Sequence, residues 1–96
     1  MRNYEVILII HPDLDENAFE EVTEQVKGWI TEDGGSITNV DVWGKRRMAY
    51  EIRKQREGQY VLLQTEMQPE AQTELERKLR LQETIMRFLV TRVDLV

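Results

Sequence analysis

Residues 45–56 read Lys-Arg-Arg-Met-Ala-Tyr-Glu-Ile-Arg-Lys-Gln-Arg, six bases against the single acid Glu51. Lysine and arginine at this density neutralise phosphates, release counterions and give a salt-dependent affinity for a polyanion. The chain as a whole points the other way, with a net charge of −5. The segment contributes +5, which leaves −10 on the rest. That asymmetry predicts a polyanion held on one side of the molecule. A run of charge is also the ordinary composition of a solvated face, so the placement of the segment has to decide between the two.

Other chemistry finds little support. His11 is the only histidine, and with no cysteine a metal site there would rest on carboxylates such as Asp13 and Asp15. Their spacing is not that of a calcium-binding loop. The acid pairs Glu20-Glu21 and Glu74-Glu76 fall on helix surfaces, whereas acid–base catalysis needs carboxylates held in a cleft. Gly34-Gly35 lacks the Lys-Ser/Thr that follows in a phosphate-binding loop. No Ser-His-Asp grouping is apparent. We therefore expect no enzyme, no metal, no cofactor and no small-molecule substrate.

At 96 residues the chain fits one domain, residues 1–96, with a modest core. The apolar run after Tyr4 is too short for a secretory signal, and no window approaches the length of a membrane span. The expectation is a soluble cytoplasmic protein.

The elements that must carry the basic tract follow from periodicity. Residues 4–10 are nearly all apolar and end at His11-Pro12, which reads as a strand buried on both faces. Asp15 is a candidate N-cap for a helix whose Ala18, Phe19, Val22, Val26, Trp29 and Ile30 form one stripe. Gly34-Gly35 stops it. Residues 36–52 read as one long strand, or two pieces, with a bulge or kink at Gly44. Arg53 to Gly58 reads as a hairpin loop and Gln59 to Met67 as the third strand. Pro69 opens a second helix with the stripe Ala71, Leu75 and Leu79 and an i, i+4 pair of Glu74 and Lys78. A last strand spans about Ile85 to Val93. The order β-α-β-β-α-β is the ferredoxin-like pattern: an α+β fold with a four-stranded antiparallel sheet and both helices on one face.

One sheet face is then open. Giving the aromatics to the core puts Val6, Leu8, Tyr60, Leu62, Phe88 and Val90 inward. Ile7, Ile9, Val61, Leu63 and Leu89 then face out and call for a protein partner, unless the parity is off by one or the chain ends cover them. With Gln59, Val61 and Leu63 outward, the face offers no ring for reading RNA bases.

Four segments carry a resemblance: Met1-Arg2-Asn3-Tyr4-Glu5, Asp13-Leu14-Asp15-Glu16, Gly44-Lys45-Arg46-Arg47-Met48-Ala49-Tyr50-Glu51-Ile52 and Gly58-Gln59-Tyr60-Val61-Leu62. In order and spacing the chain resembles the bacterial small-ribosomal-subunit protein six family. The resemblance implies a non-catalytic protein that binds small-subunit ribosomal RNA as a heterodimer with small-subunit ribosomal protein eighteen. It places Arg2, Arg46 and Arg47 nearest the RNA. Lys45, Lys54, Arg56, Arg87 and Arg92 join them on charge alone. The sequence ends at Val96, where many relatives carry a longer tail. A metabolite-binding regulatory module dimerising through its sheet is the alternative on the same fold; it would need a polar pocket rather than clustered arginines.

Overall fold

The computed structural model describes residues 1–94, so the last two positions of the expected domain lie outside it. Its elements run β1 (Arg2–Ile10), α1 (Glu16–Glu32), β2 (Ser36–Ile52), β3 (Gln55–Met67), α2 (Pro69–Arg80) and β4 (Ile85–Val93). The four strands form one sheet in the order β2-β3-β1-β4, every neighbouring pair antiparallel. This is the ferredoxin-like arrangement that the sequence predicts.

The caps follow from residue chemistry. The Asp15 side chain accepts from the Ala18 N–H at 2.8 Å, satisfying one of the orphan donors of α1. Past the other end Gly34 adopts φ +86°, a left-handed conformation that costs glycine nothing. Gly35 next to it packs too tightly for a side chain: a Cβ there would meet the Glu66 and Ile30 carbonyl oxygens at 2.8 and 2.9 Å. Both helices lie against one side of the sheet. Val22, Val26 and Ile30 of α1 and Ala71, Leu75 and Leu79 of α2 are buried there with Val6, Leu8 and Ile10. On the surface of α2, Glu74 pairs with Arg77 rather than with the expected Lys78. The Lys78 ammonium instead lies 5.9 Å from the centre of the Trp29 ring, joining the two helices. Arg77 holds the Glu74 carboxyl below the usual carboxylate range. A lowered native value means that the small contribution of this exposed pair is present above that range and is lost on acidification.

The third strand corrects the sequence reading. Antiparallel partners share a face, and Val6 sits opposite Leu63 and Leu8 opposite Val61. Val61 and Leu63 are therefore in the core, fully buried, and are not outward residues. Tyr60 and Leu62, expected inside, point to the open face, so that face carries aromatic rings where the sequence reading expects none. The preference of aromatics for cores misplaces this strand. Charge was the better guide: the set Tyr60, Leu62, Gln64, Glu66 contains a carboxylate, while Val61, Leu63, Thr65, Met67 contains none. Parity in β1 and β4 is as expected, with Val90 opposite Val6, Phe88 opposite Leu8 and Leu89 opposite Ile7.

Thr65 is the polar member of the buried set. It is 2% exposed, and its hydroxyl finds no hydrogen-bond partner among the described residues. Valine has the same shape without the unsatisfied group. Thr65→Val should raise stability by about 1 kcal/mol, read as a melting temperature several degrees higher. A lower melting temperature would mean that the hydroxyl has a partner.

Candidate nucleic-acid and protein interfaces

The basic tract lies on the hairpin of β2 and β3, which extends past the end of β1. Its geometry is set by irregularities in β2, where the register shifts between Ile37 and Asn39, between Val42 and Gly44, and between Arg47 and Ile52. At the second, Gly44 takes φ +79°, so the bulge expected at this glycine is present. At the third, residues 48–51 of β2 face only Arg56 of β3. The extra length swings Met48 and Tyr50 onto the open face of the sheet. Gly58 lets the hairpin come this close, because a Cβ there would collide with Ile9 Cγ2. Gln59, expected to face outward, instead donates from Nε2 to the His11 and Leu14 carbonyls at 3.1 Å each. It ties β3 to the loop before α1.

The tip is tighter than the six-residue loop that the sequence suggests. Ile52 pairs with Gln55, leaving a two-residue turn. Arg53 and Lys54 both have positive φ, 51° and 64°. Turns of this kind favour Asn-Gly, and each larger residue there costs on the order of 1 kcal/mol. The turn is held by Arg53, whose Nη1 donates to the Glu83 carbonyl at 2.7 Å. A second tie joins Arg87 Nη1 to the Tyr50 hydroxyl, with the guanidinium 5.7 Å from the centre of the Tyr50 ring.

This curl creates a cleft of about 320 Å³ between hairpin and sheet. Ile7, Ile9 and Leu89 line it from the sheet; Met48, Tyr50 and Ile52 line it from the hairpin. Leu89 is 57% exposed. The expected partner face thus keeps Ile7, Ile9 and Leu89, loses Val61 and Leu63, and gains Tyr60 and Leu62. Two of the polar groups in the cleft, Arg87 and the Tyr50 hydroxyl, already bond each other. A metabolite would find an apolar trough, which disfavours the regulatory-module alternative.

The candidate RNA residues separate into two groups. Lys45, Arg46 and Arg47 lie side by side on β2 opposite Gln59, Gly58 and Glu57, with Lys54 at the tip and Arg56 beside them. All five are exposed. Arg56 pairs with Glu51 at 3.1 Å, both largely in solvent, so the pair is weak and readily exchanged for a phosphate. Arg87 lies nearby, opposite Ile9 on the open face. Arg2 and Arg92 are at the other end of the sheet, opposite Met67 and Tyr4, and Arg92 is 3.4 Å from Asp94. At about 3.3 Å per residue, β1 separates Arg2 from the hairpin end by more than 20 Å. They do not form one patch with the tract.

Elsewhere, His11 Nδ1 accepts from the Asp13 N–H at 3.1 Å, a local turn contact. Among the described residues no cluster of three or more histidine, cysteine or acidic side chains is placed to hold a metal. No described helix is long and apolar enough to cross a membrane.

Comparison with known proteins is consistent along the chain. A family model described as Ribosomal protein S6 matches residues 3–92. Small ribosomal subunit protein bS6 of Moorella thermoacetica is 49% identical over 94 residues, covering 98% of this chain and 96% of that protein. Its counterpart in Clostridium novyi is 47% identical over 90 residues, covering 94% and 95%. The crystal structure of 30S ribosomal protein S6 from Thermotoga maritima is similar with a TM-score of 0.91 and 35% identity, over 96% of this chain and 87% of that one.

Proposed function

The chain belongs to the ribosomal protein S6 family, and on that premise we propose that it is a non-catalytic constituent of the small subunit of the cytoplasmic ribosome, binding small-subunit ribosomal RNA together with small-subunit protein eighteen. The observation that carries this reading is that one hairpin serves two surfaces. Lys45, Arg46, Arg47, Lys54 and Arg56 present charge to solvent, while Met48, Tyr50 and Ile52 of the same hairpin cover an apolar cleft on the sheet. RNA is held by the first and the protein partner by the second, together with Ile7, Ile9, Tyr60, Leu62 and Leu89. Arg87 stands between them. Arg2 and Arg92, at the far end, make a separate RNA contact.

Such an arrangement couples the two binding events. A partner seated in the cleft fixes the hairpin, so less conformational freedom remains to be lost when RNA arrives. Affinity for RNA is therefore higher with the partner than without it.

The partner face has its own test. Leu89 is exposed on the open face, so a charge there does little to the isolated fold but leaves an unpaired charge in the proposed interface. Leu89→Glu should weaken association with protein eighteen by at least about tenfold in sedimentation or calorimetry while shifting folding stability by less than about 1 kcal/mol. Unchanged association would remove the partner from this face.

A further inference from the structure

Beside the cleft, on the β2 side of the open face, Trp43 is assigned to neither interface, although the ring it stacks on, Tyr60, belongs to the partner face. Its ring stacks on Tyr60, centroids 6.2 Å apart and planes 16° from parallel. The indole Nε1 donates to Asp41 Oδ2 at 2.9 Å, which fixes the orientation of the ring. Arg46 donates from Nε to the Trp43 carbonyl at 3.2 Å, holding a guanidinium next to it. Tyr60 covers one face of the indole, yet Trp43 remains 37% exposed.

We infer that Trp43 is a stacking platform for one unpaired base of the bound RNA, with Arg46 on the adjoining phosphate. The inference rests on the RNA reading of the hairpin and adds to it the kind of nucleotide recognised. A pre-oriented aromatic plane loses little freedom when a base settles on it, and a neighbouring cation holds the backbone of that nucleotide. Only an unpaired base offers a face to stack, since bases within a duplex are already stacked on each other. A protein side chain on the same ring is disfavoured by what surrounds it. Lys45, Arg46 and Arg47 follow Trp43 after Gly44 and are exposed, and a cluster of cations beside the ring favours a polyanion over an apolar protein side chain.

The test uses the full chain at low salt with two probes, a single-stranded adenosine octamer and an RNA duplex of eight base pairs. The octamer should quench tryptophan fluorescence of the native chain. Trp43→Ala should abolish that quenching, leaving the Trp29 signal, and weaken octamer binding by about tenfold or more. Trp43→Phe, which keeps a ring, should recover part of the affinity and guards against a loss through misfolding. Duplex affinity should be the same in all three proteins. The inference is overturned if Trp43→Ala binds the octamer as well as the native chain, or loses as much affinity for the duplex. It is equally overturned if the octamer does not bind, or if protein eighteen rather than RNA quenches Trp43. In those cases the RNA reading stands or falls separately, on the effect of Arg46→Ala on binding to small-subunit RNA with protein eighteen present.

Discussion

Leu63→Ala should cost about 3 kcal/mol of folding stability, and Leu62→Ala, one position away, less than about 1. The difference follows from the pleat alone. Leu63 is fully buried under the helices opposite Val6, where alanine leaves a cavity that its neighbours in a closed core cannot fill. Leu62 is half-buried on the face without helices, and loss of its side chain is made up by water. Function should show the opposite ranking. Leu62→Ala weakens the association with protein eighteen, while Leu63→Ala, assayed at a temperature where it is folded, does not. Denaturant melts of the two variants measure the first contrast. A larger loss for Leu62→Ala would mean that β3 is turned over and that the partner face assigned here is the core.

Changing Arg46 and Arg47 together to alanine should weaken RNA binding in the presence of protein eighteen by roughly ten- to a hundredfold near 0.1 M salt, since each charge-assisted contact is worth on the order of 1 kcal/mol or more. The double variant also predicts a change in slope. With two fewer phosphates neutralised, the plot of log affinity against log salt should flatten by about 1.5. Both side chains are exposed on β2, neither carboxylate-paired among the described residues, so the melting temperature should hardly move. Loss of affinity with an unchanged slope would place the arginines outside the phosphate contact. Collapse of the fold would make them structural.

Much of the fold was legible because single residues fix it. Asp15 caps α1, Gly34 ends it, Pro69 opens α2 and Gly44 marks a bulge, each through backbone or capping chemistry that needs no tertiary information. Parity in β3 was legible too, through Glu66, but the preference of aromatics for cores concealed it. What local sequence does not carry is the path of the hairpin. Nothing in the spacing of Met48 and Tyr50 indicates that four residues of β2 will face one of β3 and fold over the sheet. That outcome depends on contacts distant in sequence: Tyr50 with Arg87, Arg53 with Glu83, and Gly58 against Ile9. For the same reason the basic residues could be counted in the sequence but not grouped. Charge adds Arg2 and Arg92 to the tract; the strand register places them at the other end of β1. Arg53, counted with the bases, is engaged on a backbone carbonyl.

The hairpin is thus both a charged arm and part of a hydrophobic wall, two roles joined through one element. The most direct measurement is the affinity of the native chain for a small-subunit RNA fragment, across a salt series, with and without protein eighteen. Affinity should fall steeply with salt and be tighter at every salt concentration when protein eighteen is present. A flat salt dependence, or no binding even with the partner present, would contradict this expectation.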